Sequence, residues 1–99
     1  MRYLGALRGC GTLTSGHETV GRADYNFDGY LAGSNHVIGN GEIRMRPSIL
    51  RGIFGRKDVQ LQTDDGRLLH LIFSDKILSA GSDAANVDVG SGLPRPSDW

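Results

Sequence analysis

The chain has few of the features that cross-link a small protein or carry it to a membrane. Cys10 is its only cysteine, so no intrachain disulfide can form and nothing indicates an oxidising compartment. No apolar run approaches the roughly 20 residues that a membrane-spanning helix needs. The N-terminal residues also lack the apolar run of a signal peptide, because Gly5 and Arg8 interrupt it. We therefore expect a soluble cytoplasmic protein with no membrane partner.

The chain also has no excess of charge. Eleven Lys and Arg residues balance 11 Asp and Glu residues, so no overall field attracts nucleic acid, which is not an expected partner. The length of 99 residues fits one ordinary domain. We expect a single β domain over residues 1–90. Residues 91–99, with their Gly, Ser and Pro, are predicted to form a flexible C-terminal tail.

Glycine is the abundant residue, with 15 positions in the chain, about twice the usual share of ~7%. Each glycine in a helix interior costs about 1 kcal/mol relative to alanine, which disfavours helix over residues 1–43. In a strand, glycine marks a bulge, a bend or a close approach of two backbones. Many short, bent strands are typical of a small antiparallel barrel or a barrel-like sandwich.

Apolar residues alternate with polar ones, which predicts strands with one buried face. The clearest segment is Val20–Asp28, in which Ala23, Tyr25 and Phe27 share one face. The same period recurs in two further segments, Tyr3–Thr14 and His36–Arg46. Together with a hairpin at residues 59–73 and an extended stretch at Val87 and Val89, they predict an all-β fold of six or seven short antiparallel strands.

The hairpin at residues 59–73 has two candidate loops. A two-residue loop at Asp65-Gly66 would mix polar and apolar side chains on both faces. A three-residue loop, residues 64–66, pairs Thr63 with Arg67 and sorts the faces, and burial usually decides the register. We predict this second loop, as a type I turn followed by a left-handed Gly66.

One short helix is predicted at Pro47–Phe54. Proline suits the first helical position, and the four apolar residues of the segment fall on one side of a helix. Gly55 suits the position after the helix ends. Such a helix typically covers one open end of a barrel.

Residues 24–29 read Asp-Tyr-Asn-Phe-Asp-Gly, which matches the start of a calcium-binding loop. The candidate ligands are Asp24, Asn26 and Asp28. The twelfth position is Asn35 instead of the expected glutamate, and the flanking segments are unfit for helices. We therefore interpret this stretch as an exposed strand face running into a turn at Asp28-Gly29, and we expect no metal site.

No catalytic constellation or cofactor motif is present, so no catalytic residue and no cofactor are predicted. Cys10 would need a base to become a nucleophile, and the sequence does not place any histidine near it. The three histidines lack the spacing of zinc ligands. His70 is predicted on the outer face of the hairpin.

The charge is unevenly distributed along the chain. Five cations and no acid lie between residues 43 and 57: Arg44, Arg46, Arg51, Arg56 and Lys57. One interpretation is a solvated face that the acids of the C-terminal part neutralise. The other is a surface that recognises an anionic ligand or an acidic protein.

The resulting hypothesis is a small non-catalytic binding or adaptor domain that contacts a protein or an anionic ligand through residues 44–57. Two alternatives stay open at this point. One is a small-ligand-binding protein or enzyme with its site in the mouth of the barrel. The other is a structural subunit of a homo-oligomer.

Overall fold

Six antiparallel strands form a closed barrel in the computed structural model, which describes residues 1–99. The elements are β1 (Arg2–Ser15), β2 (Glu18–Ala32), β3 (His36–Arg44), α1 (Pro47–Ile53), β4 (Val59–Thr63), β5 (Leu68–Phe73), β6 (Ala84–Ser91) and a 3₁₀ turn (Pro96–Asp98). Around the barrel, the strands follow the order β1-β2-β3-β6-β5-β4. The predicted all-β barrel with one short helix is confirmed.

The alternation of the sequence sorts the side chains between the core and the surface. In β2, Ala23, Tyr25 and Phe27 are buried, as predicted, and the polar residues between them face outward. Ile43 and Met45 are likewise buried on the β3 side of the core. Burying one such large apolar side chain contributes roughly 1.5–3 kcal/mol, so this pattern supplies much of the driving force for the fold.

The hairpin of β4 and β5 has the predicted three-residue loop. The amide of Thr63 donates to the carbonyl of Arg67 over 2.8 Å, and the amide of Gly66 donates to the carbonyl of Thr63 over 2.9 Å. Gly66 has a φ of +97°. Leu61 pairs with Leu69 in the resulting register, and Val59 pairs with Leu71. All four of these side chains are buried in the core.

The helix α1 begins at Pro47, as predicted, and ends at Ile53, one residue before the predicted end. Phe54 leaves the helix because its ψ of 129° is extended. Leu50 and Ile53 are buried in the core of the barrel. Gly55 follows with a φ of +83°, in the left-handed region that favours glycine.

The prediction of a turn at Asp28-Gly29 is wrong. Strand β2 continues to Ala32. Gly29 pairs with Gly5 on β1 and with Gly39 on β3, and the indole of Trp99 lies over it. An added Cβ at Gly29 would lie only 2.5 Å from Cζ2 of that ring, so this glycine makes room for a side chain instead of turning the chain.

The residues after β6 lie against the mouth of the barrel opposite α1. The side chain of Leu93 packs on Gly39, and Pro94 is buried. The indole nitrogen of Trp99 donates to the carbonyl of Pro94 over 3.0 Å, which holds the ring against β1 and β2. The mobility of residues 91–99 stays a prediction. Substitution of a residue that makes these contacts can test it.

The barrel closes along one short seam. Strand β1 pairs with β4 only over Gly11–Ser15, whereas it pairs with β2 over almost its whole length. The two backbones approach closely there, since an added Cβ at Gly11 would lie 2.5 Å from the carbonyl oxygen of Gln62. Residues 2–9 of β1 therefore have a strand partner on one side only.

Two matched glycine substitutions test the packing. At Gly41 an added Cβ would overlap the carbonyl oxygen of Asn26 and lie 2.8 Å from the Cα of Phe27. At Gly52, in α1, it would meet nothing within 4 Å. We expect Gly41→Ala to lower the free energy of unfolding by about 3 kcal/mol, the upper end of the usual range for overpacking. Gly52→Ala should raise it by about 0.5–1 kcal/mol. Urea denaturation measures both, and effects of the same sign would contradict this packing.

Truncation of Trp99 tests the contact of the C-terminal residues with the barrel. Because the indole is half-buried, we expect Trp99→Ala to lower the free energy of unfolding by about 2 kcal/mol, below the range for a fully buried tryptophan. Ile77→Ala is the control, since that side chain is 82% exposed and should change stability little. Equal, negligible effects of the two substitutions in urea denaturation would mean that residues 91–99 detach in solution.

Candidate functional site

The five cations of residues 44–57 do not form one surface. Arg44 lies on the outer face of β3 between two carboxylates. Its Nη2 is 2.9 Å from Oε1 of Glu42, and its Nη1 is 2.9 Å from Oδ1 of Asp83. Hydrogen bonds to Asp83 and then to Glu42 raise the pKa of the Arg44 guanidinium. Its charge is thus neutralised within the fold.

Arg56 is bound to the end of the barrel. Its Nη1 donates to the hydroxyl of Ser15 over 3.0 Å, and that hydroxyl donates in turn to Oδ1 of Asp58 over 2.9 Å. Ser15 is buried, so this chain of hydrogen bonds fixes the segment after α1 against β1. The nearby carboxylate of Asp58 offsets part of the Arg56 charge.

The other three cations, Arg46, Arg51 and Lys57, are exposed and have no carboxylate within 4.0 Å. The side chain of Lys57 has no partner, although its backbone carbonyl oxygen is 2.9 Å from Nε2 of His70, within hydrogen-bonding distance. His70 lies on the outer side of β5, as predicted, and is half-buried there. The free positive charge of the segment is therefore concentrated around α1.

A groove of about 370 Å³, here called the helix-side groove, runs beside α1. It is lined by Arg51, Phe54, Lys76, Ile77, Leu78 and Ala80. Its lining has two cations, an apolar floor and no acid. The sequence interpretation missed Lys76 and Ile77, because the apolar residues of segment 74–83 have no regular spacing that would predict a helix, a strand or a buried face.

A second pocket, of about 270 Å³, lies on the outer faces of β1, β2 and β3, and its charges are paired internally. The guanidinium of Arg22 donates to both carboxylate oxygens of Asp64, over 2.7 and 2.6 Å, and this pair lowers the pKa of Asp64. The thiol of Cys10 donates to Oδ1 of Asp24 over 2.9 Å. That hydrogen bond, with partial desolvation, raises the pKa of the thiol, which opposes formation of a nucleophilic thiolate.

The calcium candidates Asp24, Asn26 and Asp28 face outward from an extended stretch of β2. Alternate residues of a strand are roughly 6.6–6.8 Å apart, too far for three side chains to surround one ion. Each also accepts a hydrogen bond from β1: Asp24 from the Cys10 thiol, Asn26 from Nε of Arg8 and Asp28 from the Tyr3 hydroxyl. No group of three or more His, Cys, Asp or Glu residues is arranged to hold a metal ion.

Comparisons of the chain with protein-family models, with curated proteins and with solved structures find no match. None of its helices has the length and apolar character required to cross a bilayer. The evidence for function is therefore the geometry of the surface itself, in which the helix-side groove combines unpaired charge with accessible apolar side chains.

The reactivity of Cys10 tests the description of the second pocket. Because the Asp24 carboxylate disfavours the thiolate, Asp24→Asn should lower the pKa of Cys10 and speed its alkylation by iodoacetamide at a fixed pH near 8. The pH profile of the alkylation rate should move to lower pH in the variant. Asp28→Asn, two positions along the same face, is the control and should leave the profile unchanged. Identical profiles for all three proteins would contradict the contact between the thiol and Asp24.

Proposed function

We propose that this protein is a non-catalytic binding domain that holds an acidic segment of a partner protein in the helix-side groove. The observation that supports this most is the pairing pattern of the cations. Arg44 is neutralised by carboxylates of the fold, whereas Arg51 stays free and shares a groove with Lys76. Free cations around an apolar floor are suited to a ligand that is both anionic and apolar.

The two cations have complementary chemistry for carboxylates. The planar guanidinium of Arg51 can donate two parallel hydrogen bonds to one carboxylate, and the ammonium of Lys76 acts as a point charge. Phe54, Ile77 and Leu78 supply apolar surface in the same groove. A segment with acidic residues on both sides of one apolar residue fits this arrangement, because its charges reach the cations while its apolar side chain is buried.

The lining of the groove argues for binding instead of catalysis. None of its six residues has a carboxylate, imidazole, thiol or hydroxyl group, so the amine of Lys76 is the one potential nucleophile and the lining has no general base to activate it. Ile77 is 82% exposed, which indicates an open surface that an extended polypeptide can reach. An exposed isoleucine beside unpaired cations is a feature that a partner would cover.

Two further cations strengthen the positive potential of this end of the molecule. Arg46 precedes α1 and Lys57 follows it, and both are exposed and free of carboxylates. Charges at this distance accelerate the encounter with an acidic partner more than they increase affinity. We also propose a cytoplasmic location, since the exposed and unpaired Cys10 is compatible with a reducing compartment.

A peptide titration tests the proposal. The probe is the capped peptide Glu-Glu-Phe-Glu-Glu, added to isotopically labelled protein and followed by amide NMR. We expect shift changes centred on Arg51, Phe54 and residues 76–80. The double charge reversal Arg51→Glu with Lys76→Glu should weaken binding by at least about tenfold, since both cations face the peptide.

The matched control is the double reversal Arg2→Glu with Arg8→Glu, which changes the net charge equally on β1. It should leave the affinity measured from the amides of the groove within about twofold, because long-range effects of surface charge are screened by salt. No shift changes in the groove, or equal losses of groove binding in the two variants, would refute the proposed groove. Absence of binding at millimolar peptide would refute it as well.

A further inference from the structure

An otherwise closed barrel leaves one long strand edge open. The seam between β1 and β4 covers only Gly11–Ser15, so Arg2–Gly9 pair with β2 alone. No other backbone hydrogen bond reaches these eight residues. On the side away from β2, their amide and carbonyl groups therefore have no partner within the protein, which makes this edge a template for another strand.

One other stretch, residues 18–23 of β2, lacks pairing on the β3 side. It is shorter than the open part of β1, and the side chain of Ile49 from α1 packs on its Gly21. The Cδ1 atom of Ile49 would be 3.3 Å from a Cβ at Gly21. Trp99 contacts Gly5 from the core side, and residues 92–99 form no hydrogen bond with β1.

The charge of this edge selects the kind of strand that can join it. Residues 1–17 contain Arg2 and Arg8 but no acid. Both arginines are exposed and neither has a carboxylate within 4.0 Å. Arg8 donates only through its Nε, to the amide oxygen of Asn26, so its terminal nitrogens remain available. A bulge at Leu4 separates the two arginines, so Arg8 lies on the outer face of β1 and Arg2 on the opposite face. An acidic side chain of an added strand would pair favourably across from Arg8 on the outer face.

The same arginines disfavour a second copy of the chain as the occupant. Pairing two β1 edges would gather four arginines in one ribbon without a carboxylate from either strand. Like charges that face each other across a strand pair are destabilising. The edge is thus protected against self-association while it stays accessible to a strand of opposite charge.

We propose that residues 2–9 of β1 bind an extended acidic segment of a partner protein by strand addition, with backbone hydrogen bonds supplying affinity and Arg2 and Arg8 supplying selectivity. This surface is separate from the helix-side groove and does not depend on it. A domain with both surfaces holds its partners at two different places on the barrel.

The probe is a capped eight-residue peptide that alternates valine and glutamate. We expect amide shift changes in residues 2–9 and slower hydrogen exchange at alternate amides of residues 5–9, which follow the bulge at Leu4. The Arg2→Glu and Arg8→Glu double variant should lose at least about tenfold in affinity. In the Arg51→Glu and Lys76→Glu double variant, the shift changes at residues 2–9 should titrate as they do in the unmodified protein, which separates this result from binding in the groove. The corresponding valine–lysine peptide should not bind.

Backbone methylation distinguishes strand addition from simple charge attraction. Two versions of the valine–glutamate peptide are N-methylated at every second residue, one in each frame. In one frame the methyl groups replace the amides that pair with β1, so binding should be lost, whereas the other frame should retain it. Equal binding of both versions would overturn the proposal. So would unchanged amides at residues 2–9 in millimolar peptide, or an affinity that Arg2→Glu and Arg8→Glu leave unaltered.

Discussion

The fold depends on five residue pairs that join the first half of the chain to the second. Gly11–Ser15 of β1 pair with β4, and this seam turns a six-stranded sheet into a barrel. It requires a glycine at position 11, because a Cβ there would meet the backbone of β4. The seam encloses the core, yet its shortness leaves the rest of β1 with one partner. The short pairing of β1 with β4 thus both closes the barrel and leaves residues 2–9 as an open edge.

The distribution of charge follows from which cations the barrel neutralises. Arg22 and Arg44 lie on the outer faces of paired strands, where carboxylates of the same strand and of adjacent loops reach them. Arg51 lies on a helix that no acid approaches, and Arg2 and Arg8 lie on the strand that lacks a second neighbour. A net charge of zero therefore conceals two separate basic surfaces. At the groove, apolar side chains such as Ile77 are exposed beside the cations. At the edge of β1, the backbone amide and carbonyl groups lack hydrogen-bond partners on one side.

Much of the fold was predictable because its causes are local. Alternation placed Tyr25 and Phe27 in the core, and the need to sort faces fixed the three-residue loop before Arg67. The extent of the seam was not predictable, since alternation tells which side of a strand is buried but not which strand lies beside it. The ion pair of Arg44 with Asp83 joins residues 39 positions apart, so its formation requires the folded topology. Lys76 and Ile77 lie in an aperiodic segment that gives no such signal.

Native-state hydrogen exchange of individual backbone amides tests the seam most directly. The account predicts that amides of residues 11–15 are protected at successive positions, because both sides of β1 are paired there. In residues 5–9 only alternate amides should be protected, namely those that donate to β2, because the pairing is regular from Gly5 onward. Protection at successive positions throughout residues 5–9, or rapid exchange across residues 11–15 and 59–63, would contradict a barrel that is closed only along this short seam.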